Sequence, residues 1–175
     1  MFQLKYLRRW LSVLCFSVLS SQILHAETAQ LSATTNSEQA AVSQQQDLIN
    51  YFFAAARIGQ TEVLQTFLEA GFPVNIRNEQ SYTALMTATY YGQATAVELL
   101  LAHGADACLR DKRDHSALMG AIVKAEWSIA RTLYRVNCAQ QSGQQEMKTV
   151  EEFAAMFGQS AKLEALKQEL TTSQR

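Results

Sequence analysis

Ser81-Tyr82-Thr83-Ala84-Leu85-Met86-Thr87-Ala88 runs into Tyr90-Tyr91-Gly92, then Ala96-Val97-Glu98-Leu99-Leu100-Leu101, then Gly104-Ala105-Asp106. The landmarks of this stretch recur along the chain at one interval. Gly59, Gly92, Ala125 and Gly158 stand 33 residues apart, with no insertion or deletion. Gly71, Gly104 and Asn137 keep the same step, as do Ala55, Ala88, Ala121 and Ala154. A fixed period of this length is the mark of a stacked repeat, and it outranks local propensity in deciding the fold. Within one period Leu85, Ala88 and Thr89 fall at helical spacing before Gly92 interrupts. Ala96, Val97, Leu100 and Leu101 make a second apolar stripe, and Gly104 supplies a left-handed exit. Two short helices per repeat follow. Neither is long enough to be stable alone, so their stripes must be buried by stacking on neighbours. The expected fold is an all-α solenoid of about four helix-turn-helix repeats with degenerate end caps.

The residues around these glycines resemble the ankyrin repeat. That family opens Gly-x-Thr-Pro-Leu-His-x-Ala, carries a mid-repeat Gly and a Val-x-x-Leu-Leu run, and ends Gly-Ala-Asp. The third copy opens Asp111-Lys112-Arg113-Asp114-His115-Ser116-Ala117-Leu118-Met119-Gly120-Ala121. The first copy is Asn50-Tyr51-Phe52-Phe53-Ala54-Ala55-Ala56 with Gly59, Leu64, Phe67, Leu68 and Gly71. The last is Thr149-Val150-Glu151-Glu152-Phe153-Ala154 with Gly158, Leu163 and Leu166. The resemblance implies a repeat domain over residues 47–170, in copies at about 47–77, 78–110, 111–143 and 144–170. The chain departs from the pattern at several places. Ala84, Ala117 or Val150 replaces the Pro, and Met86 or Met119 replaces the His, which implies weaker ties between loops. Ala125 replaces a mid-repeat Gly. Polar residues on the last copy, among them Glu151, Glu152, Lys162, Glu164 and Lys167, suit a solvated end.

Residues 1–26 are of another kind. Lys5, Arg8 and Arg9 precede an apolar run from Trp10 to Leu19, and Leu24-His25-Ala26 offers a cleavage site. This reads as a secretory signal peptide, with an inner-membrane anchor as the alternative. Residues 27–46, rich in Gln, Ser, Thr and Ala, read as a flexible linker. Loss of Lys5, Arg8 and Arg9 would take the net charge from −1 to −4. That balance disfavours nucleic acid or an anionic membrane as partner.

Export would place Cys108 and Cys138 in an oxidising compartment. One repeat before Cys138 lies Ala105, three residues short of Cys108. Adjacent repeats stack about 10 Å apart, whereas bonded cysteines need Cα atoms about 4.4–6.8 Å apart. The expectation is therefore a buried Cys138 and a loop Cys108, with a disulfide between them as the alternative.

No catalytic or phosphate-binding motif is present, and no cofactor is implied. His103 suits the C-terminus of a helix. Asp111, Asp114 and His115 crowd one loop but lack the framework of a metal site, so no metal is expected. What remains is surface. The resemblance implies contacts at loop tips and on a concave face lined by first helices. By register these are Glu79, Gln80 and Tyr82; Lys112, Arg113 and His115; Gln145, Glu146 and Lys148; and Arg57, Ile58, Tyr90, Tyr91, Val123 and Lys124. Tyr90 and Tyr91 stand out, since aromatic and Arg residues anchor interfaces; packing of one ring between repeats is the alternative. Trp127 is expected to pack on the outer face. The chain thus reads as a non-enzymatic, protein-binding adaptor. It is similar to small exported ankyrin proteins of Gram-negative bacteria, which implies the periplasm. That resemblance implies either support of an enzyme such as a catalase or neutralisation of a secreted toxin.

Overall fold

The computed structural model describes residues 39–136, 138 and 149–172. The candidate signal peptide, Asn137 and the tip residues Gln145, Glu146 and Lys148 lie outside them. The chain divides into two compact units, Met1–Asp47 and Leu48–Arg175. In the first, residues 39–47 are helical and exposed. This differs from the patternless linker expected over 27–46. Gln39, Ala40, Ala41 and Gln44 are good helix formers, and no Gly or Pro interrupts them.

The second unit is built from helix pairs. Residues 48–58 (α1) and Thr61–Glu69 (α2) form the first pair; Ala84–Tyr90 (α3) and Ala94–Ala102 (α4) the second. Ala117–Lys124 (α5) and Trp127–Tyr134 (α6) form the third, and Val150–Met156 (α7) and Ser160–Thr172 (α8) the fourth. The second unit is all-α among the described residues, with one isolated bridge between Arg110 and Ser116. α3 packs on its partner α4 and on the next first helix, α5; α5 packs on α6 and α7; α2 packs on α4, and α4 on α6. These contacts run from one repeat to the next, as in a solenoid.

The repeat register fixes each start. Thr83, Ser116 and Thr149, again 33 apart, are extended N-caps. Their hydroxyls accept the N–H of Met86 (3.2 Å), Met119 (3.3 Å) and Glu152 (3.1 Å). Glu152 returns the favour by accepting the N–H of Thr149, completing a capping box. Each such cap is worth about 1 kcal/mol. The core runs through the unit: Phe52, Ala55, Leu64, Leu85, Ala88, Val97, Leu100, Ala121, Ile129, Leu133 and Leu166 are all buried. The alanines of the 33-residue series let the first helices approach closely. At the first pair Phe52, Phe67 and Phe72 close the core, with centroids 4.9–5.5 Å apart. Trp127 is half-buried against this core.

Ties between loops do not depend on the missing His. Met86 and Met119 are buried apolar residues at that position. Arg77 donates to the carbonyl of Arg110, 33 residues on, at 2.8 Å. Asn75 accepts the N–H of Asp106 (2.8 Å) and faces the carbonyl of Gly104 (3.4 Å).

Cys108 and Cys138 are joined in a disulfide, with Cα atoms 5.3 Å apart, and Cys138 is half-buried rather than buried. The expectation of two separate thiols is thereby corrected. The stacking distance of about 10 Å holds between equivalent positions. The offset of three residues carries Cys108 beyond Asp106, whose carboxylate accepts its N–H at 2.8 Å. That turn brings the thiol to the chain leaving α6.

Candidate interaction surface

α3 buries Leu85, Ala88 and Thr89, so its last turn leaves Tyr90 and the C-capping Tyr91 on the open side. Their rings meet edge to face, with centroids 5.5 Å apart. Each ring carries a cation from a neighbouring repeat. Lys124, the last residue of α5, places Nζ 4.9 Å from the centre of Tyr90. The guanidinium of Arg57 lies 5.9 Å from the centre of Tyr91. Such contacts contribute about 0.5–1 kcal/mol at exposed sites. Gln93 donates to the carbonyl of Arg57 at 3.2 Å, so the first two repeats are tied beside the pair. Among the described residues neither Arg57 nor Lys124 pairs with a carboxylate.

The same register holds exposed residues in every repeat. Ile58, Tyr90, Tyr91, Met156 and Phe157 are 47–64 % exposed, although large apolar side chains favour burial. Val123 is half-buried. Met156 and Phe157 were not singled out from the sequence. The signal was available, since they stand 33 residues beyond Val123 and Lys124.

The loop tips behave less uniformly. Lys112 and Arg113 are exposed. Tyr82 is half-buried against the core, so it serves packing. Its N–H and that of Gln80 bond to the side chain of Asn78. Asp111 repeats the device one period on, accepting from the N–H groups of Arg113 and His115 at 2.8 and 2.9 Å. The His115 ring lies 3.5 Å from the second oxygen of Asp111 and 5.0 Å from the ring of Phe153. His115 thus joins one repeat to the next. Asp111, Asp114 and Arg110 serve the loop in the same way, with Arg110 bonding to Asp114. His103 caps α4, its Nδ1 lying 3.0 Å from the carbonyl of Leu99. At the last pair, Lys167 contacts Glu151 (2.8 Å) and Glu164 (3.0 Å). The hydrogen bond that Lys167 donates to Glu151 raises Lys167 well above its ordinary value, and the same bond lowers Glu151.

Stacked helix pairs that expose one aligned row of large side chains define the class: a helical-repeat interaction module. The chain belongs to the ankyrin-repeat family. The family profile "Ankyrin repeats (3 copies)" matches residues 51–144, more than half of the sequence. Protein HOS4 of Saccharomyces cerevisiae is 41 % identical over 68 residues, 38 % of this chain and 6 % of that protein. An ankyrin repeat protein of Pseudomonas aeruginosa is 37 % identical over 54 residues, 31 % of this chain and 32 % of the relative. An ankyrin repeat-containing protein of Treponema pallidum is 34 % identical over 80 residues, 45 % and 27 % of the two chains. The chain therefore spans under a third of the length of each of these relatives. Ankyrin repeats are typically non-enzymatic modules for protein–protein interaction. No helix among the described residues is long and apolar enough to cross a membrane.

Proposed function

We propose that this protein is a non-enzymatic adaptor that works in the periplasm, binding a partner protein through the row at the ends of its first helices and through the exposed tip residues Lys112 and Arg113. One observation carries the reading: Tyr90 and Tyr91, each roughly half exposed, are held on the surface and braced by Arg57 and Lys124. Rigid aromatics with adjoining cations are favoured anchors of protein interfaces. Support for an enzyme such as a catalase is the proposed role; neutralisation of a toxin is the alternative carried by the same resemblance. The export reading rests on Lys5, Arg8, Arg9, the short apolar run and Ala26. The Cys108–Cys138 disulfide supports it, because such bonds persist in oxidising compartments.

The test is affinity capture from periplasmic extract, followed by binding measurements with the identified protein. Changing Tyr90 and Tyr91 together to Ala should weaken binding by at least about 2 kcal/mol, roughly thirtyfold. The fold should be retained, with a loss of no more than about 1–2 kcal/mol from the two cation–ring contacts, because neither side chain lies in the core. Unfolding by this change would make the pair structural. Unchanged affinity in the folded variant would move the contact elsewhere. The mass of the protein from the same fraction should correspond to a chain starting at Glu27; intact chain in the membrane pellet would replace cleavage by anchoring.

A further inference from the structure

The row at the helix ends has a charge and a period, and together these specify more than a protein partner. Its eight positions are Arg57 and Ile58, Tyr90 and Tyr91, Val123 and Lys124, Met156 and Phe157. Two are cationic, none is acidic, and the rest are aromatic or aliphatic. The cations alternate with apolar steps: a cation in the first repeat, the tyrosines in the second, a cation in the third, Met156 with Phe157 in the fourth. Both cations lack a carboxylate partner among the described residues, and each is held over a ring. A guanidinium has five donors and an ammonium three, so a cation over a ring keeps donors for an incoming carboxylate. Packed helices such as α3 and α5 have axes about 8–10 Å apart. An extended polyproline-type chain rises about 3.1 Å per residue with three residues per turn, or roughly 9 Å per turn. One turn of such a chain therefore spans one repeat.

The geometry points to an extended acidic segment of a partner protein as the occupant of this row. Its side chains follow the order acid-x-x-apolar-x-x-acid-x-x-apolar, in either chain direction. The carboxylates meet Arg57 and Lys124, and the apolar residues meet the tyrosines and the Met156–Phe157 step. This rests on the reading of the row as a docking surface and adds the chemistry of what docks there.

A displayed library of random twelve-residue peptides, selected on the immobilised full chain, tests it. The expected result is enrichment of Asp or Glu six residues apart with apolar residues between and beyond them. Synthetic copies of the selected peptides should bind at least tenfold more weakly after Arg57→Glu with Lys124→Glu, and more weakly as salt rises. The exposed control Lys162→Glu should leave affinity unchanged. Selected peptides without acidic bias, or with binding that survives the double reversal, overturn the proposal; so does a selection that yields no binder. If such non-acidic peptides still lose affinity when Tyr90 and Tyr91 become Ala, the docking surface stands and only its assigned chemistry falls.

Discussion

Ala125 holds a backbone conformation meant for another residue. Its φ is 58°, in the left-handed region where Gly59, Gly92 and Gly158 sit at the same point of their repeats. A Cβ there costs about 1 kcal/mol. Ala125→Gly should therefore raise stability by roughly 0.5–1 kcal/mol, measured by denaturant unfolding. The reverse change, Gly92→Ala, should destabilise, since its φ of +70° strains any residue with a Cβ, and the flexible end of Glu126 would also have to move aside. The spacing of the glycines made this position legible in the sequence. Ser81 and Asp114 also have positive φ and were not legible from composition. The cue was Asn78 and Asp111, whose side chains bond to N–H groups two and four residues on and turn the chain around those residues.

The last helix pair carries a test of its charges. Glu151 is lowered in the fold, so its contribution is complete above the ordinary value of 4.5 and is lost as acid titrates it. Lys167 is raised, so its contribution persists through neutral pH and is lost only in strong alkali. Both side chains reach solvent, so the pair is worth about 0.5 kcal/mol at most. Glu151→Gln should cost that much at pH 7, and the gap to the parent should narrow as the pH falls below 4.5, as read from paired unfolding curves. In the second pair Leu100 is fully buried, and Leu100→Ala should cost roughly 2–5 kcal/mol in the same measurement. The apolar stripes of these helices were readable because burial imposes a 3.6-residue period on them. Tyr82 falls on the contact surface by repeat register alone; its packing against the core is a tertiary fact that no local pattern reveals. The register that marks the row of helix ends as far as Lys124 also reaches Met156 and Phe157, one period on, where the sequence reading stopped short.

Across the whole repeat unit, the Cys108–Cys138 bond was harder to read than any helix. Repeat spacing gives the distance between equivalent residues, and the bond depends on a three-residue offset and on the turn at Asp106. Its 30-residue separation implies stabilisation of about 3–4 kcal/mol through restriction of the unfolded chain. Replacing both cysteines with Ser should lower unfolding stability by about that amount, with the helical spectrum retained at low temperature. The bond has a mechanical consequence as well. A chain pulled from its two ends passes tension directly from Cys108 to Cys138, and α5 and α6 lie inside a covalent ring that bears none of the load. Extension of the oxidised protein should fall short of the reduced one by roughly 100 Å, the contour of those 30 residues. The third repeat, with Lys124 at its surface, would then stay unextended under tension that draws out the chain on either side of it.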